Sequence, residues 1–482
     1  MEAPAAGRGS DFLQLRPASA PPRRRTTWLA DALRAAIVDG RLPAGARLPA
    51  TRLLAYELGF ARGVVVDAYQ RLGHEGLISA RTGAGTVVTA MGPPDARPPL
   101  PPPDPHALRL PVPSSWQPAG IELNLSPGVP DLSAFPRTAW LRAERAVLAG
   151  ATAADLGYGD PRGSARLRGE LAGWLARGRG IRTSPDSIIV VAGVAQSLAL
   201  LAQTLVARGI IDVAVEDPGS RGVREEVLHW GLRPMPVPVD EHGLRVDELA
   251  STGVGVALLT PAHQFPTGVV LAPDRRRALL EWAAGGGLVV EDDYDAEHRY
   301  DRAPVPALAA SAPEHVAHTG STSKTLAPGM RLGWLVPPRH LHADLVEAKH
   351  ASDLGCPALP QLVLAHLLAS GEYDRHLRHV RARQRRRRDA LLAALREHLP
   401  RARVEGVAAG LHLLVTLPQL TGRVDDADLA RRIGSAGVLV HPVSWHRQRP
   451  GPPGLVLGYA AHPPDRLHEA VRRVAQVLEP SG

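Results

Sequence analysis

The chain has almost no lysine. Of 56 basic residues in 482, only Lys324 and Lys349 are lysines, and the rest are arginine. Arginine serves well as a surface cation, so a lysine that persists marks a place where a primary amine is wanted. Cysteine is scarcer still. Cys356 stands alone, which excludes an internal disulfide framework and suits a reducing compartment. Long apolar runs are absent too. The nearest, Ile188 to Ala207, is broken by Gly193, Gln196, Ser197, Gln203 and Thr204. It reads as a buried strand, a glycine turn and a helix rather than a membrane span. The opening MEAPAAGRGSDF lacks the basic-then-apolar layout of a secretory signal. A soluble, cytoplasmic protein with no membrane partner is expected.

Arginine, glycine and proline are abundant, and their placement is uneven. Residues 1–91 hold 12 arginines against 7 acids, while the remaining chain is close to neutral. A basic head on a nearly neutral body points to an anionic partner for the head. Residues 1–25 show no periodicity and are expected to be a disordered tail. From Trp28, the residues Leu29, Ala32, Leu33, Ala36 and Ile37 share one helix face, which Gly40 ends. A turn-rich connection, Arg41 to Pro49, leads to Thr51, expected to cap a second short helix with Leu54, Ala55 and Leu58. Gly59-Phe60-Ala61 turns the chain into a third helix, Arg62 to His74. Two alternating strands follow, Leu77–Arg81 and Thr86–Ala90. Residues 26–91 thus read as a winged helix-turn-helix. Residues 92–120 contain 11 prolines and read as a semi-rigid polyproline linker.

From residue 121 to 482, short apolar strands alternate with helical stretches. Strands are expected at Ser187–Ala192, Asp212–Glu216, Gly255–Thr260, Gly287–Glu291, His315–Thr319 and Leu332–Val336. That order predicts an α/β domain with a mostly parallel sheet covered on both faces. A smaller α+β C-terminal part, about 345–482, follows with strands such as Gly410–Thr416 and Leu455–Tyr459.

Ligands of such sheets bind at the carboxyl ends of the strands. Glu291-Asp292-Asp293-Tyr294-Asp295 lies at one such end, and Ser321-Thr322-Ser323-Lys324 at another, with Arg331 seven residues on. Ala192-Gly193-Val194-Ala195 joins a strand to a helix and offers amides at a helix N-terminus, an anion site. A phosphate, an amine and a carboxylate would meet at one sheet edge. Pyridoxal phosphate needs that set. An amine forms a Schiff base with its aldehyde, and a carboxylate keeps its ring nitrogen protonated so that the ring draws electrons. Hydroxyls, a guanidinium and helix amides hold its phosphate. No metal site is expected.

At this point the chain resembles two families joined. Residues 121–482 resemble fold-type I aminotransferases, and residues 26–91 resemble the winged helix of GntR-type regulators. The combination is similar to the MocR-type regulators. The resemblance rests on Leu42-Pro43-Ala44-Gly45 with Arg47-Leu48-Pro49, Tyr158-Gly159-Asp160-Pro161-Arg162-Gly163, Glu216-Asp217-Pro218-Gly219, His263-Gln264-Phe265-Pro266-Thr267-Gly268, Glu291 to Asp295, and Ser323 to Gly333. It implies that Lys324 is the Schiff-base lysine and that Asp292 pairs with the pyridinium nitrogen. Tyr294 would meet the ring hydroxyl. Ser321, Ser323, Arg331 and the backbone of Val194 and Ala195 would bind phosphate. Tyr158 would reach the phosphate of the partner subunit in a homodimer. For double-stranded DNA it implies contacts from Arg52, from Arg62 and Gly63 opening the recognition helix, and from Arg81, Thr82 and Gly85 in the wing.

The chain departs from the pattern in places. Phe265 precedes Pro266-Thr267-Gly268 where common aminotransferases carry the asparagine that meets the ring hydroxyl, so His263 or Gln264 would take that contact. Ser220 follows the Asp-Pro-Gly turn where relatives often have an aromatic. No arginine clearly matches the one that holds a substrate carboxylate, and Arg447 and Arg449 are the nearest. Ala61 stands at a helix cap, and Val66 where many relatives carry a second arginine. The seven arginines from Arg378 to Arg388 read as a solvated helix face, with a second contact to DNA as the alternative. The leading expectation is a DNA-binding transcriptional regulator that senses the cofactor, or an amine or amino-acid effector, through an aminotransferase-like domain. The alternatives are a working aminotransferase with an appended head, and a regulator that has lost the cofactor.

Overall fold

The structure is a computed structural model that describes residues 15, 17–81, 85–89, 120–301 and 303–478, with Arg81 described in its backbone only. The contact in the wing expected of Thr82 lies outside these residues, as do most of the linker and residues 1–14 of the tail. Two compact units emerge, divided at Arg109.

The first unit holds α1 (Arg25–Val38), β1 (Arg47–Leu48), α2 (Thr51–Leu58), α3 (Arg62–His74), β2 (Ile78–Arg81) and β3 (Gly85–Val88). The strands form one antiparallel sheet in the order β1-β3-β2. Leu29, Leu33, Leu54, Leu58, Val65, Leu72 and Val88 close its core. Gly59, at φ 63, ends α2 in the left-handed conformation that glycine adopts without a Cβ penalty. Thr51 does not cap α2. It is the first helical residue, and Ala50 sits in the cap position with no side-chain bond. The short strand β1 was hidden in the turn-rich connection, where proline and glycine mask a two-residue pairing with β3. Of the expected tail, Pro17–Ser19 forms a 3-10 turn, and Ala20 is buried in the same core.

The second unit continues with β4 (Leu123–Asn124), α4 (Arg137–Gly150), α5 (Ala165–Arg179), β5 (Ile189–Val191), α6 (Val194–Ala207), β6 (Asp212–Asp217), α7 (Arg221–His229), β7 (Arg233–Asp240), β8 (Gly243–Leu244), α8 (Val246–Ser251), β9 (Val256–Leu259), α9 (Pro273–Ala284), β10 (Leu288–Asp293), β11 (Val316–Ser321) and β12 (Gly333–Val336). Then come α10 (Arg339–Asp353), α11 (Ala358–Ala369), α12 (Glu372–His398), β13 (Arg403–Glu405), β14 (His412–Thr416), α13 (Asp426–Ser435), β15 (Val438–Leu439), β16 (His441–Pro442), β17 (Gly454–Gly458) and α14 (Pro464–Leu478).

The large sheet has eight strands in the order β5-β12-β11-β10-β9-β6-β7-β8. Strands β11, β10, β9, β6 and β7 run parallel, while β12 is antiparallel to both of its neighbours. Both faces are covered by apolar layers, as a mostly parallel sheet requires. Four antiparallel strands, β13-β14-β17-β16, form a second sheet.

The smaller part does not begin near residue 345. Leu341 and Leu345 of α10 and Leu362 to Leu368 of α11 pack into the large-sheet layers. The change of core falls inside α12, where Tyr373 and Leu377 belong to the large layer and Leu391, Ala394 and Leu395 to the small one. Leu123 and Leu125 join that small core from the other end of the unit. A single continuous helix crosses between cores, so no break in sequence marks the boundary. Among the described residues, no helix is long and apolar enough to cross a membrane.

Candidate functional site

The acid run after Val290 is sorted by the pleat. Successive side chains of a strand point to opposite faces. Glu291 accepts the amides of Leu308 (2.8 Å) and Ala309 (3.1 Å). Asp293, two residues on, pairs with Arg179 at 2.6 and 3.0 Å, and both side chains are buried. Asp292 faces the other way. It is buried, and its Oδ1 has no hydrogen-bond partner among the described residues. Burial pushes its carboxyl up to about 8, and the nearby Asp293 and Asp295 add to this. A buried acceptor left open is costly unless a ligand satisfies it.

Lys324 follows β11. Its Nζ donates to Gly128 O at 2.6 Å. Gly128 has φ 81, and a Cβ there would come within 3.0 Å of the amine, so glycine keeps this approach open. Burial lowers the lysine's pKa, against the pull of Asp295 and Asp292. An amine shifted in that direction is readily deprotonated, as a nucleophile must be.

Beside it, the turn between β5 and α6 makes an anion cradle. Gly193 caps α6 at φ 99. The first bonds back to Gly193 O come from Gln196 and Ser197, which leaves the Val194 and Ala195 amides at the open helix end. A Cβ on Gly193 would lie 3.4 Å from Nη1 of Arg331. Arg331 itself has φ 50, and its guanidinium makes no hydrogen bond to another described residue. Ser321 pairs with Gly333 across β11 and β12, and its Oγ accepts the Ser323 amide at 3.4 Å. Val194, Ala195, Ser321, Ser323 and Arg331 are therefore brought to one place.

Tyr294 and His263 meet next to the acids. His263 is buried, with Nδ1 3.1 Å from the Tyr294 hydroxyl and 2.9 Å from Asp295 Oδ2. Burial raises the Tyr294 pKa well above its ordinary value. Burial also pushes Asp295 up, but His263, His412 and His298 outweigh it and hold the carboxyl below its ordinary range. Gln264 is not the second candidate for this position. Its amide is spent on Pro218 O (2.9 Å) and Phe265 O (2.6 Å). Phe265 packs its ring 4.9 Å from His412 and 5.0 Å from His446. His263, Asp295 and His412 bring donor atoms within 4.8 Å of one another. The His263–Asp295 bond already satisfies two of them, and no metal is assigned.

Tyr158 stays apart. It is 94% exposed and borders an open cleft of about 820 Å³ with Asp353, Leu354 and Cys356. Arg447 and Arg449 are engaged elsewhere: Arg447 donates to Pro452 O at 2.8 Å, and Arg449 reaches Glu248 at 3.4 Å. Of the arginine run on α12, Arg383 and Arg387 both pair with Asp131 at 2.8 Å, and Arg381 donates to Glu297 O. Arg378, Arg385 and Arg386 are exposed. Sequence reasoning missed Gly128, His412 and any task for Asp295. Asp295 stood in the quoted acid run, whereas Gly128 and His412 carried no local signal.

In the winged helix, Arg52, Arg62 and Gly63 are exposed at the starts of α2 and α3. Neither guanidinium has a hydrogen-bond partner among the described residues. Gly63 has open space where a Cβ would stand. Gly85 is exposed at the start of β3 with φ 83. Tyr56, 87% exposed on α2, escaped notice in the sequence.

Two family models match this chain. Residues 26–88 match the bacterial regulatory proteins of the gntR family, and residues 121–474 match aminotransferase class I and II. The chain is 33% identical to the HTH-type pyridoxine biosynthesis transcriptional regulator PdxR of Corynebacterium glutamicum, over 95% of this chain and 96% of that one. It is 31% identical to the probable rhizopine catabolism regulatory protein MocR of Rhizobium meliloti, over 94% of each. Among solved structures it is similar to LysN, an α-aminoadipate aminotransferase from Thermus thermophilus complexed with N-(5'-phosphopyridoxyl)-L-leucine. The TM-score is 0.67 at 28% identity, covering 75% of this chain and 92% of that one. The chain belongs to the GntR family of transcriptional regulators, in the MocR type that carries a class I and II aminotransferase domain behind its winged helix.

Proposed function

We propose that this regulator binds pyridoxal phosphate at Lys324 and uses it to read an amine or amino-acid effector, while the winged helix binds double-stranded DNA. The observation that carries the reading is the open, buried Oδ1 of Asp292 on the side away from Arg179. A pyridinium N–H is the kind of donor it lacks. The residues fit the cofactor in other respects. The cradle turns at Gly193 with φ 99, a conformation that L side chains rarely adopt, and presents bare backbone beside the Arg331 guanidinium to an anion, and Lys324 holds its amine beside Gly128. When bound, the cofactor supplies an aldehyde that captures amines and a ring that draws electrons from them.

The protein's residues would divide the work. Lys324 would hold the cofactor through its buried amine. Asp292 keeps the ring nitrogen protonated. Tyr294 donates toward the ring hydroxyl, and the His263 ring, its Nδ1 donating to the Asp295 carboxylate, packs beside the phenol. Ser321, Ser323, Arg331 and the amides of Val194 and Ala195 hold the phosphate. The purified protein should absorb at the violet edge of the visible range. That band should vanish in Lys324→Ala, and a band unchanged in the variant would overturn the assignment.

For DNA, we place α3 in the major groove with Arg62 and Gly63 at its leading end, and Arg52 of α2 on the flanking backbone. The wing residues Arg81, Thr82 and Gly85 would contact the neighbouring groove or phosphates. We further propose a cytoplasmic homodimer. Leu141 and Leu148, seven residues apart on one face of α4, are 53% and 49% exposed, and Leu156 and Leu354 are exposed as well. Apolar surface of that kind is usually covered by a partner. Tyr158, in the same region, would then reach across to the second subunit's phosphate.

A further inference from the structure

Lys349 is the lysine that the proposed function does not use. In a chain that otherwise relies on arginine, it is retained in α10 with no exposed surface. Its Nζ lies 2.7 Å from both oxygens of Asp353 and 3.4 Å from Cys356 Sγ. The bonds continue from there. Asp353 Oδ2 accepts from Gln196 Nε2 at 2.7 Å. Gln196 Oε1 accepts from the Ala192 amide at 2.8 Å. Asp353 Oδ1 also takes the Gly355 amide at 2.9 Å. Burial pushes the Asp353 carboxyl up, but its bonds to Lys349 and Gln196 outweigh this and hold it below its ordinary range.

This chain of bonds grips the turn that forms the anion cradle. Ala192 enters the turn, Gly193 makes it at φ 99, and Gln196 lies in the first turn of α6. Gly193 has no side chain with which to hold itself. The backbone packed against it is also bare: a Cβ on Gly333, which pairs with Val191, would stand 3.0 Å from Gly193 Cα. Position must come from outside the turn, and the Asp353–Gln196 bond supplies it. A compact ammonium, itself fully buried, donates to both Asp353 oxygens and the thiol at the inner wall of the open cleft. The larger, planar guanidinium of arginine cannot take that arrangement without displacing its surroundings.

We propose that Lys349, through Asp353 and Gln196, is a positioning residue that sets the Val194 and Ala195 amides for the phosphate group of the ligand. The inference rests on the proposed binding of pyridoxal phosphate at Lys324. Its consequence is selective: loss of the network should weaken recognition of the phosphate and spare recognition of the ring.

The test measures binding of pyridoxal phosphate and of unphosphorylated pyridoxal, by the violet absorbance, in the full-length protein and in Lys349→Met, Lys349→Arg and Asp353→Asn. The three variants should lose about tenfold in affinity for the phosphate ester, the scale of one misplaced charge-assisted hydrogen bond. Pyridoxal affinity should remain within about twofold of the parent's, a difference well below the value of one hydrogen bond. Equal affinities for the ester in parent and variants would overturn the proposal. So would a parallel loss for both ligands, which a purely structural role produces. If Lys349→Met does not fold, Asp353→Asn and Gln196→Ala decide the question, because both side chains lie at the surface end of the network. A parent protein that binds neither ligand overturns the reading of the Lys324 site, and this proposal with it. A parent that binds both, with variants indistinguishable from it, overturns this proposal alone.

Discussion

Two adjacent aspartates at the end of β10 do opposite jobs. Asp293 neutralises the buried Arg179. Removing one partner of a buried pair strands the other charge, so Asp293→Asn should destabilise the fold by about 3–5 kcal/mol. Among the described residues, Asp292 has no cation at pairing distance, and its carboxyl is pushed up to about 8. In the cofactor-free protein that shift has a definite sign. Between about pH 4 and pH 8 the folded state keeps a proton that the unfolded chain releases, so this group's contribution to stability falls as pH rises. Asp292→Asn removes the slope. The cofactor-free variant should gain on the order of a few kcal/mol over its parent at pH 8, and the gain should fade toward pH 4. The same variant should bind pyridoxal phosphate far more weakly than the parent. Urea unfolding at the two pH values, with an absorbance titration, measures both. A cofactor-free variant less stable than the parent at pH 8 would show that Asp292 is satisfied by the protein itself.

At the scale of elements, α3 carries the proposed DNA contacts and starts without a capping side chain. Ala61 occupies the N-cap in extended geometry and makes no cap bond. Ala61→Ser should therefore stabilise the winged helix by about 1 kcal/mol, seen as a higher unfolding temperature. Arg62→Ala should cost about 1–3 kcal/mol of DNA affinity if the side chain reads a guanine, with the loss confined to one position of the site. A loss spread evenly over all sequences, with a shallower salt dependence, would assign Arg62 to a phosphate instead. Other elements show where sequence reasoning stops. The wing and α3 were legible because a short period repeats cleanly along them. The strand β7 was not, because Pro234, Pro236 and Pro238 argue against a strand. The structure reconciles them: the Arg233 amide bonds toward β6, so in alternation the three prolines turn their nitrogens away from β6, to the side where β8 pairs only with Val239 and Asp240.

The whole molecule raises the question of turnover. An aminotransferase must hold a substrate carboxylate in both half-reactions, and a guanidinium fork serves best. Here Arg447 and Arg449 are tied to Pro452 and Glu248, and Phe265, His412 and His446 pack together on the near side. Amines should therefore change the absorption spectrum while keto-acid production stays slow or absent. A panel of amino acids and amines tests this, and sustained turnover on the order of 1 per second would make the protein an enzyme. Assembly gives a second expectation. Leu148→Arg places a charge in the exposed apolar face of α4, and sedimentation should then find a dimer for the parent and monomers for the variant. A variant that stays dimeric would move the interface elsewhere.

The sequence by itself determined the architecture and the order of the chemistry. Periodicity and turn residues are local properties, so the winged helix, the strand-helix alternation and the placement of Lys324 and Asp292 at strand ends could be read along the chain. Only the tertiary structure decided which groups answer which. Gly128 meets Lys324 from 196 residues away, and Asp293 meets Arg179 across 114. Neither pairing leaves a trace in local spacing. The boundary of the smaller part was hidden for the same reason, since α12 runs unbroken from one core into the other. Lys349 shows both sides of the limit: its rarity marked it in the sequence, but its partners, and hence its task, exist only where α10 folds back against the start of α6.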